Sequence, residues 1–209
     1  MLTGTLSSDV KLDIAAGATV TLKNVSISAG KSYWSGINPL GDATLILEGT
    51  NYVKSSLMGA AVSSAENSTL TIEGNGSLEA IGGAQSCGIG GAYYDNAGNI
   101  VIKGGTIKAV GSDNCAGIGS GNGGCACGNI TISGGEVTAI GNTNGAGIGS
   151  GESGICGFIE IKDTVTKVSA ETGSGEHSIG AGTGGTCGTV TIGGVEGAIT
   201  DNPYTYQPN

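Results

Sequence analysis

Two aromatic doublets are the residues of this sequence best suited to binding a ligand. Tyr33-Trp34 and Tyr93-Tyr94 contribute four of the eight aromatic residues, and both lie among Gly, Ser, Asp and Asn, a composition typical of exposed turns. Aromatic rings on loops can stack against the apolar faces of sugars, while the polar tips of Tyr and Trp suit half-hydrated positions. We therefore predict carbohydrate-binding residues here. The alternative is that these rings cover an edge of the fold.

Oxygen-bearing side chains follow the second doublet. Asp95, Asn96 and Asn99 cluster there, and Asp113 lies one repeat further on. Calcium takes about six to eight oxygen ligands from such side chains and from carbonyls. These four residues are therefore candidate ligands, and calcium is a candidate cofactor. The competing interpretation is that Asn and Asp at corners supply left-handed backbone and Asx-turns.

A pair of glutamates could serve a glycosidase, which needs two carboxylates about 5–10 Å apart. Glu48 and Glu73 are predicted at equivalent positions of consecutive repeats, about 4.8 Å apart at Cα. The later members of this row are mixed, which is typical of a solvated surface: Lys103, Ser133 and Lys162. We therefore predict that the protein is not an enzyme.

The six cysteines recur with the repeat. They fall into three groups: Cys127, Cys156 and Cys187; Cys87 and Cys115; and Cys125 alone. Members of one group are predicted to share a repeat position. No paired C-x-x-C motif with histidine partners occurs, which argues against zinc. An internal ladder of small buried thiols and disulfides between repeats both remain open.

The elements that position these residues come from a glycine-punctuated repeat of about 30 residues, a period that indicates a solenoid. Three apolar rows can be indexed along the chain. The first is Leu22, Leu47, Ile72, Ile102, Ile132, Ile161 and Ile192. The second is Ile27, Val53, Leu78, Ile107, Val137 and Val168. The third is Ile37, Val62, Ile89, Ile118, Ile148 and Ile179.

Three rows per period predict three short strands per coil, and alternation within each strand predicts one buried face. The fold class is therefore all-β: a right-handed parallel β-helix of about seven coils, each of 25–31 residues. Residues 1–200 should form a single domain, with 1–17 as an N-terminal cap or first coil. Residues 201–209 should form a tail or linker.

The amino-acid composition argues against several classes of binding partner. The net charge is −9 and arginine is absent, which argues against nucleic acid as a ligand. No long apolar stretch is present, so membrane insertion is not expected. The 43 glycines follow no G-X-Y register, which excludes collagen. Met1 runs directly into a polar segment without the pattern of a signal peptide, and we expect a mature or excised domain.

The segments GDATLILEGTNYV (41–53) and AAVSSAENSTLTIEGNGSLEA (60–80), with the later GNI-I-GG units, resemble bacterial β-helix carbohydrate-binding domains of the clostridial type. The GAGIGSG repeat is similar to a branch found in surface proteins of gut bacteria. The resemblance covers about residues 18–198. It implies a secreted or cell-surface module that binds polysaccharide, with calcium sites in some members, as part of a larger multidomain protein.

The same resemblance extends in shape to pectate lyases, whose base is usually cationic. Their arginine has no counterpart here, and Lys103 and Lys108 are better interpreted as solvated face charges. His177 has no Cys or Ser partner at a telling spacing. An outward row of Thr71, Val101, Thr131, Glu160 and Thr191 is interrupted, which disfavours ice binding. The main alternative to glycan binding is a structural stalk of a surface adhesin.

Overall fold

A computed structural model describes residues 1–6, 8, 10–31 and 33–208. These residues form 25 β-strands and no helix. The first ten are β1 (Leu2–Leu6), β2 (Leu12–Ile14), β3 (Ala18–Ala29), β4 (Ile37–Pro39), β5 (Ala43–Glu48), β6 (Thr50–Ser55), β7 (Val62–Ser63), β8 (Thr69–Gly74), β9 (Ser77–Ile81) and β10 (Ile89–Gly90). In this described part, no helix of a length and apolarity suited to crossing a membrane occurs.

The remaining strands continue the winding of the chain, and each of the next three turns has a fourth short strand. They are β11 (Asn99–Ile102), β12 (Thr106–Asp113), β13 (Ile118–Gly119), β14 (Ala126–Cys127), β15 (Ile130–Ile132), β16 (Glu136–Asn142), β17 (Ile148–Gly149), β18 (Ile155–Cys156), β19 (Ile159–Ile161), β20 (Lys167–Glu171), β21 (Ile179–Gly180), β22 (Thr186–Cys187), β23 (Val190–Ile192), β24 (Val195–Glu196) and β25 (Tyr204–Tyr206).

The strands wind into a parallel β-helix with six complete coils. Coil 1 is β3 and β4, coil 2 is β5 to β7, coil 3 is β8 to β10, and coils 4 to 6 begin at β11, β15 and β19. Partial coils flank them, which agrees closely with the predicted seven. Three walls result: wall A carries the first strand of each coil, wall B the second and wall C the third. Strand β3 is long enough to join walls A and B into one 15-stranded sheet.

The core is a column of aliphatic side chains inside the three walls. Strands β8, β11 and β15 alternate buried and half-buried residues, so one face of each points inward, as the period-2 pattern predicts. The third apolar row is confirmed along its whole length by the strand registers. Its members are Ile37, Val62, Ile89, Ile118, Ile148 and Ile179.

The first row is wrong at one step. Leu22 pairs with Leu47 as predicted, but Ile72 pairs with Leu45 rather than with Leu47. Leu45 and Leu47 both point into the core, and a slip of two residues keeps the same face buried. Apolar patterning alone therefore cannot distinguish the two registers.

The second row slips by the same two residues. Val53 pairs with Ala80, and Leu78 pairs with Asn51, a polar residue that apolar indexing passes over. Asn51 is nonetheless only 1 % exposed and occupies an inward position of wall B. The predicted register differs from the observed one because Asn51, a buried amide, occupies an inward position that holds an aliphatic side chain in the other coils.

Asn51 ties three coils together. Its Oδ1 accepts a hydrogen bond from the Val25 amide at 3.0 Å, and its Nδ2 donates to the carbonyls of Glu48 at 3.1 Å and Ser77 at 3.0 Å. We predict that Asn51→Ala lowers the free energy of unfolding by about 2–3 kcal/mol, because it leaves these buried groups unpaired.

Urea denaturation measures this change, and Thr131→Ala on the outer surface of wall A is the control. Thr131 is half-buried and points away from the core, so its loss should cost about 0.5 kcal/mol or less. Equal midpoints for the two variants would show that Asn51 does not couple the coils.

The two ends of the column differ. Strand β1 pairs in parallel with β3, whereas β25 pairs antiparallel with β20. Tyr204 and Tyr206 of β25 pack against the core. Asn202 bonds both backbone groups of Thr172, at 3.1 Å to the amide and 2.7 Å to the carbonyl. Residues of the C-terminal tail therefore lie against the last complete coil.

Candidate binding groove

A groove of about 370 Å³ runs over the outer surface of wall C at coils 1 to 3. Its floor includes Asn38, Ser63 and Gly90, which are successive outward positions of β4, β7 and β10. Because neighbouring coils are about 4.8 Å apart, the groove follows the long axis of the β-helix. Its volume lies within the range of about 300–1,000 Å³ that is usual for ligand sites.

The first aromatic doublet lines one side of this groove. Tyr33 is 68 % exposed, and Trp34 is half-buried. The Trp34 carbonyl accepts a hydrogen bond from Ser55 Oγ at 2.6 Å, and the Tyr33 amide donates to the Leu57 carbonyl at 3.0 Å. Gly59 lies against the same Trp34 carbonyl with no room for a side chain. The loop is therefore held firmly against coil 2 while its rings face solvent.

Two ammonium groups flank the indole ring. Lys31 Nζ lies 4.9 Å and Lys11 Nζ 5.6 Å from a Trp34 ring centroid, both within cation–π range. Lys11 also forms an ion pair with Asp13 at 3.0 Å. A hydrogen bond from Asn38 lowers the pKa of Asp13. The Trp34 end of the groove therefore combines an apolar ring with a hydrogen-bonded set of charges.

The second doublet does not line the groove, although its neighbours Ala92 and Asp95 do. The Tyr93 and Tyr94 rings contact each other at a centroid distance of 4.1 Å with an angle of 53°. A hydrogen bond with Tyr94 raises the pKa of Tyr93. Tyr94 packs over Gly123 of the next coil. The two doublets occupy different corners, as the sequence predicts, and only Tyr33-Trp34 lines the groove.

The residues that follow the second doublet complete the groove. Asp95 and Asn96 line it together with Glu66. Asn96 Nδ2 donates to Glu66 Oε1 at 2.9 Å, and Asn96 Oδ1 accepts from the Ala126 amide at 2.9 Å. Asn96 therefore fixes the Glu66 carboxylate at the groove edge.

The four candidate calcium ligands do not converge. Asp95 and Asn96 are in the groove, but Asn99 Oδ1 accepts a hydrogen bond from the Asn129 amide at 2.9 Å at another corner. Asp113 pairs with Asn142 Nδ2 at 3.3 Å, away from the groove. Among the described residues, no three His, Cys, Asp or Glu side chains cluster as a metal site would.

Several groove residues are missed by the sequence analysis. They are Lys11, Ser35, Asn38, Leu40, Ser63 and Glu66. A usable signal exists for Asn38 and Ser63, because each directly follows a member of the third apolar row and must therefore point outward from wall C. Leu40 is 62 % exposed and adds an apolar patch to the rim.

The predicted glutamate pair is wrong. Glu73 pairs with Ile46 in the register of β5 and β8, and its carboxylate lies 4.0 Å from Lys103 Nζ. Glu48 instead forms an ion pair with Lys23 of the preceding coil at 3.0 Å. The two-residue slip in wall A separates the glutamates.

Lys108 and the threonine row lie on the outer surfaces as expected. Lys108 forms an ion pair with Glu79 at 2.9 Å across neighbouring strands of wall B. The registers of wall A place five residues in one outward row: Thr71, Val101, Thr131, Glu160 and Thr191. This row is interrupted by a valine and a glutamate.

His177 Nδ1 contacts the Ala181 carbonyl at 2.9 Å within its own loop.

The cysteines follow the predicted grouping in part. Cys127, Cys156 and Cys187 pair in register on β14, β18 and β22, and all six cysteines are free thiols. Cys87 and Cys115 do not share a position. Ile89 pairs with Ile118, and Cys87 precedes its isoleucine by two residues whereas Cys115 precedes its isoleucine by three, so the two cysteines are one residue out of step.

Comparison with known proteins supports the assignment of this chain to the β-helix fold class. Three segments match the family model described as "Beta helix repeat", at residues 70–93, 100–122 and 130–152. They correspond to coils 3, 4 and 5 and make up about a third of the chain. No curated protein and no solved structure matches the chain. Together with the parallel stacking of the coils, these matches identify a right-handed parallel β-helix built from β-helix repeats.

Proposed function

We propose that this β-helix binds a polysaccharide in the groove on wall C, without catalysing a reaction on it. The observation that carries the proposal is the composition of the groove. Trp34, the only tryptophan, and exposed Tyr33 lie beside a row of hydrogen-bonding side chains. Sugars present apolar ring faces and hydroxyl edges, and a site for them needs both kinds of contact.

The direction of the groove suits a polymer. Asn38 and Ser63 come from consecutive coils, and their side chains are joined by a hydrogen bond of 3.0 Å from Ser63 Oγ to Asn38 Oδ1. An extended glycan lying along the axis would meet one coil after another. Glu66 and Asn96, already bonded to each other, offer further acceptors and donors at the far side.

The proposal is limited to binding. Glu66 and Asp95, the acidic residues among the described residues that line the groove, are both exposed to solvent, whereas the general acid of a glycosidase lies in a shielded pocket. Calcium would act as a bridge to an acidic glycan, with Asp95 and Glu66 as the carboxylates that line the groove.

We further propose an extracellular location at the bacterial cell surface, within a larger multidomain protein. The acidic surface, with a net charge of −9 and no arginine, suits neither nucleic acid nor anionic lipid. A polysaccharide is the partner class that agrees with both the groove and the charge.

A structural stalk is the second candidate. Its supporting observation is the continuous parallel hydrogen bonding of walls A, B and C, since stacked coils form a stiff rod whose neighbours support each other. A stalk would place other domains away from the cell and would leave the groove without a ligand.

Affinity electrophoresis separates the two candidates. The domain is run in gels that contain polygalacturonate, a cellulose derivative, xylan or mucin glycans, each with calcium and with a chelator. Glycan binding predicts retardation in at least one gel, and loss of retardation with chelator would assign calcium to the site. Equal mobility in all gels would reject glycan binding and favour the stalk.

A further inference from the structure

The thiol ladder of coils 4 to 6 is the most reactive feature outside the groove. Cys127 pairs with Cys156, and Cys156 pairs with Cys187, on three adjacent parallel strands. The Sγ atoms of Cys127 and Cys156 lie 3.2 Å apart. Side chains of in-register parallel strands start side by side, but the rotamers of Cys127 and Cys156 bring their sulfur atoms into contact, while Cys187 Sγ donates to the Gly157 carbonyl at 3.4 Å.

Access from solvent is uneven along the ladder. Cys127 and Cys156 are buried, whereas Cys187 is half-buried at the C-terminal end. A cavity of about 540 Å³ opens beside Cys187 and is lined also by His177, Thr186 and Glu196. A small molecule that enters this cavity meets a single thiol of the ladder.

The electrostatics favour the same cysteine. A hydrogen bond from the Cys156 thiol lowers the pKa of Cys187, although partial burial opposes this. Burial instead raises the pKa of Cys115 to about 12, and it raises the pKa of Cys87 and Cys125 as well. Because the thiolate is the attacking species, Cys187 combines the best access with a favourable ionisation.

We propose that Cys187 is a thiol–disulfide exchange site for small disulfides and that Cys156 is its resolving thiol. The Cys187 thiolate attacks one sulfur of the small disulfide, forms a mixed disulfide and releases the other half as a thiolate. Hydrogen bonds with Cys127 and Cys187, together with burial, raise the pKa of Cys156, so the released small thiolate takes its proton. Cys156 Sγ then attacks Cys187 Sγ, and the second half leaves as a thiolate. Two protein thiols are oxidised and one small disulfide is reduced to two thiols.

The product is compatible with the backbone. Neighbouring strands of a sheet are about 4.8 Å apart, and disulfides span Cα separations of about 4.4–6.8 Å. The Cys156–Cys187 bond would therefore link coils 5 and 6 covalently, and the parallel Cβ atoms of the two strands would turn towards each other as the bond forms. Oxidation would thus fasten the C-terminal end of the β-helix.

Cystamine is the probe of choice, because its cationic ends suit Glu196 in the cavity and the net charge of −9. The reduced full chain is incubated with cystamine and mapped by peptide mass spectrometry without reduction. The expected product is a peptide pair joined through Cys156 and Cys187. In Cys156→Ser the mixed disulfide should persist on Cys187, since its resolving thiol is gone.

Two further variants complete the test, and circular dichroism checks that each one folds. Cys187→Ser should slow modification by about tenfold or more, because the remaining thiols react only after local opening. Cys115→Ser should react like the unaltered chain. Serine fits there, since Ser86 holds the equivalent position three residues before Ile89.

An unchanged rate in Cys187→Ser would overturn the proposal. So would a persistent adduct on another cysteine in Cys156→Ser, or an unaltered chain whose Cys187 stays unmodified under conditions that modify the denatured chain. Mapping the adducts of the unaltered chain is enough to show whether Cys187 is modified, so the proposal can be tested even if a variant misfolds.

Discussion

Replacing Gly119 with alanine should lower the free energy of unfolding by about 3 kcal/mol or more. Gly119 ends β13 with a φ of +140°, a conformation that side chains rarely adopt. A Cβ placed there would overlap the carbonyl oxygen of Gly149 in the next coil. Gly90, Gly149 and Gly180 share this conformation at the equivalent positions of their coils. Asn38 and Ser63 occupy this row at coils 1 and 2, but from coil 3 onward the close approach of the coils requires that the row stay free of side chains.

Gly197→Ala is the matched control for that substitution. Gly197 has nearly the same φ, +145°, but no heavy atom lies within 4 Å of the position that a Cβ would occupy. Its cost should be limited to backbone strain, about 1–2 kcal/mol. The free energies of unfolding of both variants are measured by urea denaturation, and their difference gives the cost of the steric overlap. Similar losses of stability would contradict the claim that close stacking of the coils requires the glycine row.

Replacing Trp34 with alanine should weaken glycan binding by about tenfold or more, which corresponds to about 1.4 kcal/mol. The indole is the largest side chain that lines the groove. Ser55 Oγ and Gly59 both contact the backbone of this residue, which alanine retains, so the loop should keep its position. Affinity electrophoresis in the gel that retards the unaltered domain measures the change.

Phe158→Ala is the matched control for the binding experiment. Phe158 is also a solvent-accessible aromatic residue, 45 % exposed, but it lies in coil 6, away from the groove. Its removal should leave retardation unchanged. Equal binding by the Trp34 variant and the unaltered domain would remove Trp34 from the site. Equal losses in both variants would point to general destabilisation rather than to a site.

The architecture was predictable because glycine corners and apolar rows recur at every coil. The third row is correct throughout, since β7, β10 and their successors offer only one large inward residue each, and in β4 the second inward residue is a proline, Pro39. Walls A and B have two inward residues per strand, as Leu45 and Leu47 illustrate. Their register at coil 3 depends on main-chain and amide hydrogen bonds that apolar patterning does not encode.

Of the residues that line the candidate site, only the aromatic ones were predicted from the sequence as sugar-binding residues. Tyr33 and Trp34 stand out in a chain poor in aromatic residues. Their polar neighbours do not, because Lys11 and Glu66 are ordinary surface residues until the coils bring them beside Trp34. Such contacts join residues more than 20 positions apart in the chain and depend on the stacking of whole coils.

Because Trp34 is the only tryptophan, its fluorescence reports directly on the groove. The most direct test of glycan binding is to titrate the domain with oligosaccharides of the retarding polysaccharide while recording tryptophan emission. Binding in the groove predicts a saturable change in emission whose midpoint matches the affinity from the gels, and none with oligosaccharides of the other polysaccharides. Retardation without any change in Trp34 emission would place the glycan elsewhere and contradict the proposed site.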